Sequence, residues 1–445
     1  MNRLHAEHAL LPEGFAAEVL LAWDEQGRLT TVRPGAAKPE GVERIEGLIV
    51  PGLPNLHSHA FQRAFAGLTE YRGAAQDSFW TWRDRMYRFA GAITPDQMEA
   101  VATQLYVEML RAGYTSVCEF HYVHHDNGGE PYADRAEMAL RLAAAARRAG
   151  IGLTLLPVLY QTSGFGAKPP RADQKRFLNR VDELLRIVEA LRAQDIRSGV
   201  APHSLRAVPP PALKDLVDGI TALDPGAPIH IHVAEQTQEV DDCLAWSGAR
   251  PLQWLLDHAP VDSRWCLVHA THLDDAERAG AARAGAVIGL CPSTEANLGD
   301  GLFDLPAWTG AWGIGSDSHA SVDAAEELRL LEYGQRLARR QRNVGLAERM
   351  WNTAVAGGAQ AAGRAVAGLA PGQQADFVRL ADAMLDDLAP AERLASHLFA
   401  SHRRDAVRDV WVAGRRVVQA GRHAAAPAAE RGFLAARGRL REALR

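Results

Sequence analysis

The chain has 445 residues, 47% hydrophobic and 23% charged, a composition that suits a globular enzyme of roughly two or three domains and excludes a disordered or fibrous protein. Its net charge is −5, its arginines are scattered, and its only lysines are Lys38, Lys168, Lys175 and Lys214, which leaves no basic surface for nucleic acid. No apolar stretch reaches membrane-spanning length and the opening MNRLHAEHALLPEGFA lacks a secretory core, so a cytoplasmic protein is expected, with neither membrane nor nucleic acid as partner.

Residues 1–50 read as short strands separated by turns, among them FAAEVLLAWD, TTVRPG and ERIEGLIV. From about residue 50 to residue 345, apolar strand-like runs alternate with helical patterns. Strands are predicted at 51–57, 115–120, 152–160, 197–202, 227–233, 264–269, 286–291 and 312–317. Helices are predicted at 95–112, 134–149, 172–194, 209–223 and 273–284, with two more at 323–343 and 346–365. The first helix has the clearest start, with Thr94 as cap, Pro95 at the first helical position and Gln97 closing a capping box. The segment DSFWTWRDRMY, after the first strand, reads as a loop.

Eight strand–helix units predict an α/β fold, a (β/α)8 TIM-like barrel over residues 51–365. Beyond it, PGQQADFVRL and AVRDVWVAGRRVVQAGR alternate like strands again. Residues 1–50 and 366–445 are therefore expected to form one small β-sandwich domain built from both termini. The four cysteines, Cys118, Cys243, Cys266 and Cys291, have no CxxC spacing; three lie inside or at the end of apolar runs and read as buried free thiols, which fits a reducing compartment.

The functional signal lies at strand ends. His57 and His59 follow IVPGLPNL, His232 follows APIHI with Glu235 three residues on, His269 follows WCLV, and Asp317 follows WGIGS. An i, i+2 pair in extended chain puts both rings on one face. In a barrel the C-terminal strand ends share one mouth, so these distant residues are expected to converge. Imidazole nitrogens and a carboxylate oxygen suit a divalent ion such as Zn²⁺ with a water in an open position. Each residue alone resembles a hydrogen-bonded core polar group; the ordered set does not.

On these motifs the chain resembles the amidohydrolase superfamily, in its mononuclear branch of adenosine-, cytosine- and guanine-deaminase-like enzymes. PGLPNLHSHA looks like the strand-1 metal motif, HVAE the strand-5 motif, LVHATHL the strand-6 motif and GSDSHA the strand-8 motif. GQQADFVRL and WVAGRRVVQAG are similar to the family's C-terminal β-domain. The resemblance implies one divalent ion, Zn²⁺ first, held by His57, His59, His232 and Asp317. It implies catalytic roles for Glu235, as proton shuttle to the leaving nitrogen, for His269, as acceptor of the water's proton or its guide, and for Asp317, as proton acceptor as well as ligand. The fourth strand ends in His203 and Ser204 with no lysine near, so a second metal bridged by a carboxylated lysine is not expected. A homodimer is common in the family.

Substrate choice should rest on the remaining strand-end residues. Gln62 follows the first metal motif, Arg83 and Arg85 lie among aromatics, Tyr122 follows the second strand, and His203 and Arg206 follow the fourth. Guanidinium groups bind carboxylates bidentately, so two of them imply a small dicarboxylate substrate that a neutral nucleobase would not match. These loops further resemble superfamily iminohydrolases that act on a linear amidine. By position, Arg83, Arg206 and Tyr122 would hold two carboxylates, with Gln62 and His203 near the reacting group or the α-carboxylate. Arg83 is the weakest assignment because Arg85 is so close. The alternatives are a deaminase of an aminopurine, a pterin or a guanidino acid, and a non-catalytic barrel, which would be expected to have lost its ligands.

Overall fold

The computed structural model describes residues 2–70, 79–400 and 404–443. Eight short parallel strands occupy the predicted places: Leu53–Ser58, Tyr114–His121, Gly152–Leu159, Ala201–Pro202, Ile229–Val233, Trp265–His269, Val287–Leu290 and Trp312–Ile314. The first four pair in sequence, as do the last four. Bridges Val200↔Ile229 and Ser204↔His232 join the two sets on one side, and Ser58↔Asp317 joins them on the other. The strands thus run in a ring. Helices cover its outside, so nearly every strand residue is buried, as parallel strands covered on both faces require.

The helix Pro95–Arg111 begins as expected, with Thr94 and Gln97 forming a capping box. Two expectations fail near it. Of the segment read as a loop, the part from Phe79 onward is the start of the helix Phe79–Ala92, and residues 77 and 78 lie outside the described residues. The helix predicted over 172–194 divides into a 3-10 turn, Ala172–Gln174, and the helix Val181–Arg192. Tertiary contacts interrupt it: Arg176 is 1% exposed and donates to the carbonyls of His125 (2.8 Å) and Ile93 (2.8 Å), while its own carbonyl accepts from the His124 and His125 amides. A backbone committed sideways in this way cannot continue an i→i−4 ladder.

Both termini join one hydrogen-bonded eight-stranded sheet. Its spatial order is Arg422–His423, Arg415–Gln419, Val407–Val412, Phe377–Leu380, Glu43–Pro51, Asn2–Leu11, Gly14–Trp23, Leu29–Arg33. The sheet encloses its own small core, where Phe377 stacks on Trp411 (4.7 Å between ring centroids) beside Trp23, Ile45 and Ile49. The C-terminal stretch is also less β-rich than expected, since Pro390–Phe399 and Ala426–Ala443 are helices. The last packs on Pro95–Arg111 through Ala429, Phe433, Ala436 and Leu440, a helical spacing. No described helix is long and apolar enough to cross a membrane, and all four cysteines are buried and free.

Candidate active site

The ring brings the predicted metal ligands together. His57 Nε2 lies 3.1 Å from His59 Nε2, 3.0 Å from His232 Nε2 and 3.4 Å from Asp317 Oδ1, and His59 Nε2 lies 3.3 Å from the same oxygen. Ligands about 2.0–2.1 Å from a tetrahedral centre sit about 3.3–3.4 Å apart, close to these four separations; His57, His59 and Asp317 form one close group, and His57, His232 and His269 a second that shares His57. The outer nitrogens fix the rings: His59 Nδ1 donates to the Phe120 carbonyl (2.9 Å) and His232 Nδ1 to the His203 carbonyl (3.1 Å). Their Nε2 lone pairs are left facing the common centre. Burial pulls the His57 pKa down to about 3 and also lowers those of His59 and His232, so the imidazoles are neutral donors. Burial works to raise Asp317, but its hydrogen bond to His57 and the imidazoles around it keep it an anion. Lone pairs and a carboxylate crowded together in a buried site fit a divalent cation.

Backbone geometry aims these groups. Ala234, His269 and Asp317 turn through left-handed φ of 51°, 66° and 47°, an unfavourable region for non-glycine residues that packing must enforce. Asn55 ties the first and eighth strands by donating to Ser316 Oγ (2.6 Å) and accepting from the Ser316 amide (3.1 Å).

Beside the ligand cluster, His269 Nε2 is 3.8 Å from Glu235 and 3.7 Å from Asp317 Oδ2. Its Nδ1 lies 3.3 Å from Glu295, which also accepts from the Cys291 amide (2.8 Å). Burial opposes a charge on His269, but Glu235, Glu295 and Asp317 outweigh it and raise its pKa to about 10. Burial likewise raises Glu235, with Asp317 and Glu239 adding repulsion against the partial relief given by His269 and Arg206. Here an imidazole and a carboxylate stand 3.8 Å apart next to a candidate cation site, the equipment of acid–base hydrolysis.

A cleft of about 580 Å³ opens above these groups. All five predicted substrate residues, Gln62, Arg83, Tyr122, His203 and Arg206, line it together with His59, His232, Glu235, His269 and Asp317. Arg85 does not line it. Gln62 donates to the Tyr122 hydroxyl (3.0 Å), and the Arg206 guanidinium stands 4.0 Å from the Glu239 carboxylate. The sequence reading missed Tyr87, Tyr160, Phe177 and Leu298 in the lining, and Glu295 behind His269. Tyr160 directly follows a ring strand and could have been found by the strand-end rule. Glu295 sits in a helix after the seventh strand, and its sequence neighbours carry no such signal.

The amidohydrolase family profile matches residues 48–417. A curated relative, formimidoylglutamate deiminase from Pseudomonas aeruginosa, is 52% identical over 99% of this chain and 100% of its own. The crystal structure of an amidohydrolase from Brucella melitensis superposes with a TM-score of 0.94 at 48% identity, covering 99% of this chain and 100% of that one. An adenosine deaminase from Xanthomonas campestris with bound zinc has the same fold, with a TM-score of 0.81 at 23% identity over 99% of this chain and 98% of that one. With its strand-end ligands gathered at one mouth of the ring and this match running through ring and terminal sheet, the chain belongs to the amidohydrolase family.

Proposed function

We propose that the protein hydrolyses N-formimino-L-glutamate to N-formyl-L-glutamate and ammonia, a step of histidine degradation, with one divalent ion, Zn²⁺, held by His57, His59, His232 and Asp317. The observation that carries this reading is the pairing of two guanidinium groups, Arg83 and Arg206, with the ligand cluster in a single cleft. A dicarboxylate amidine needs both; a neutral base needs neither. The name of the 52% identical Pseudomonas aeruginosa relative supports the same substrate.

When bound, the ion supplies an activated water by lowering its pKa from about 15.7 to about 7. Kept protonated by Glu235, Glu295 and Asp317, His269 steers that water as a donor, and Asp317 is placed to accept its proton. Glu235, whose pKa burial raises, delivers a proton to the departing nitrogen. Arg83, Arg206 and Tyr122 hold the carboxylates, while Gln62 and His203 stand by the formimino group or the α-carboxylate.

The architecture that serves this chemistry is read as a (β/α)8 barrel over residues 51–365, with residues 1–50 and 366–445 as a flanking sandwich-like domain. The family resemblance supports a homodimer, and the buried free thiols a reducing, cytoplasmic setting. Its oligomeric state is tested by light scattering. The functional test is ammonia release by purified protein from N-formimino-L-glutamate, beside aminopurines and a guanidino acid. Turnover of the first alone is expected, and equal or better turnover of an aminopurine would reject the assignment.

A further inference from the structure

We propose that Gln174 is a positioning residue that turns the phenols of Tyr87 and Tyr160 into proton donors for one substrate carboxylate, completing the anion anchor begun by Arg83 and Arg206. The proposal rests on the dicarboxylate reading above. Gln174 closes the Ala172–Gln174 turn and is 1% exposed. Its Oε1 accepts from the backbone N–H of Arg171 at 2.8 Å. A backbone N–H only donates, so this contact settles which way round the amide lies. Nε2 therefore faces the phenols, 3.0 Å from the Tyr87 oxygen and 2.8 Å from the Tyr160 oxygen.

A hydrogen count completes the argument. The amide NH₂ brings two hydrogens and no acceptor, so both go to the phenol oxygens, and each phenol must direct its own hydrogen elsewhere. At most one of those hydrogens can reach the other phenol. The second meets no acceptor among the described residues, and both side chains line the cleft. Such a buried donor calls for a ligand oxygen. The Arg83 guanidinium lies 5.6 Å from the centre of the Tyr87 ring; that of Arg171 lies 5.3 Å away but is paired with Asp84 (3.0 Å) and Asp173 (2.6 Å). Burial, followed by the adjacent Tyr87 phenol, holds Tyr160 well above its ordinary pKa of 10.0, so it stays a donor at neutral pH. Tyr87 belongs to the helix Phe79–Ala92 and Tyr160 follows the third ring strand, so one buried amide joins the cleft's covering helix to the ring.

The test compares Tyr87→Phe, Tyr160→Phe and Gln174→Glu with the native enzyme. The substrates are N-formimino-L-glutamate and two analogues with one carboxylate each, N-formiminoglycine and N-formimino-γ-aminobutyrate. Glutamate at position 174 would accept from both phenols and turn their hydrogens away from the cleft while keeping the contact. At least one Phe variant and Gln174→Glu should raise KM for the dicarboxylate about tenfold or more, with kcat within about twofold. That rise should disappear for whichever analogue lacks the gripped carboxylate. Native KM in both Phe variants, or an equal rise on all three substrates, overturns the proposal. Glutarate binding by calorimetry reads the anchor without turnover. If the native enzyme leaves N-formimino-L-glutamate untouched, the functional reading falls; glutarate affinity lost in the Phe variants still upholds the anchor, and affinity unchanged by them rejects it.

Discussion

His232 brings its Nε2 to 3.0 Å from His57 Nε2, whereas Glu235, three residues on, keeps its carboxylate 3.8 Å from His269. The two should therefore fail differently. His232→Ala is expected to lose bound metal, measured by elemental analysis, and to lose ammonia release with it. Glu235→Ala should keep metal near the native content and lose turnover by about 10²-fold or more, the usual scale for a removed general acid. Full activity in Glu235→Ala would remove the proton-shuttle role. Arg206 acts on the substrate in both ground and transition states, so Arg206→Ala should raise KM about 10–100-fold with little change in kcat, the scale of a lost charge-assisted hydrogen bond. Native kinetics in that variant would undo the dicarboxylate reading.

Between elements, Glu119 on the second ring strand clamps the turn that carries His57 and His59. It accepts from Ser58 Oγ (2.7 Å), the Ala60 amide (2.6 Å) and the Tyr106 hydroxyl (3.1 Å). Burial raises its pKa from 4.5 to about 7, and those three donors hold it from going higher. A folded-state pKa above the unfolded one gives a contribution fully present below about 4.5 and lost as pH rises through about 7. Between those limits the native protein should lose on the order of 3 kcal/mol that Glu119→Gln does not lose. Urea midpoints measured across pH 4.5–8 check this, and parallel curves for the two proteins would refute it. The same elements show what sequence can reveal. The ring strands were legible because runs covered on both faces stay apolar throughout, and their polar ends stand out against that background. The helix Phe79–Ala92 reads as a loop from sequence although Trp82, Met86, Phe89 and Ala90 recur at helical spacing and pack on the core, and the break after Gln174 stayed hidden because Arg176 is held by distant carbonyls. Glu295 stayed hidden for a related reason, since only the folded chain brings its helix beneath His269.

At the scale of the whole molecule, the ring closes between residues from opposite ends of the barrel. The first and eighth strands meet through the Asp317 amide donating to the His57 carbonyl (3.0 Å), the His59 amide donating to the Asp317 carbonyl (3.2 Å), and Asn55. The proposed ligands come from that seam and from the fifth strand across the ring. An ion there would staple three strands, and removing it would leave a buried carboxylate and three imidazoles without their common partner. Binding to the folded state alone stabilises by about 4 kcal/mol at a thousandfold excess over Kd, so chelation should lower Tm by roughly 4 °C. The loss should be local first: hydrogen exchange at residues 57–59 and 315–319 should quicken before exchange at the terminal sheet, which has its own core. Restoring Zn²⁺ should reverse both effects. A chelated protein that kept its Tm and its seam protection would show that the ring closes on hydrogen bonds and packing alone, and that the ion has no structural part beyond its chemistry.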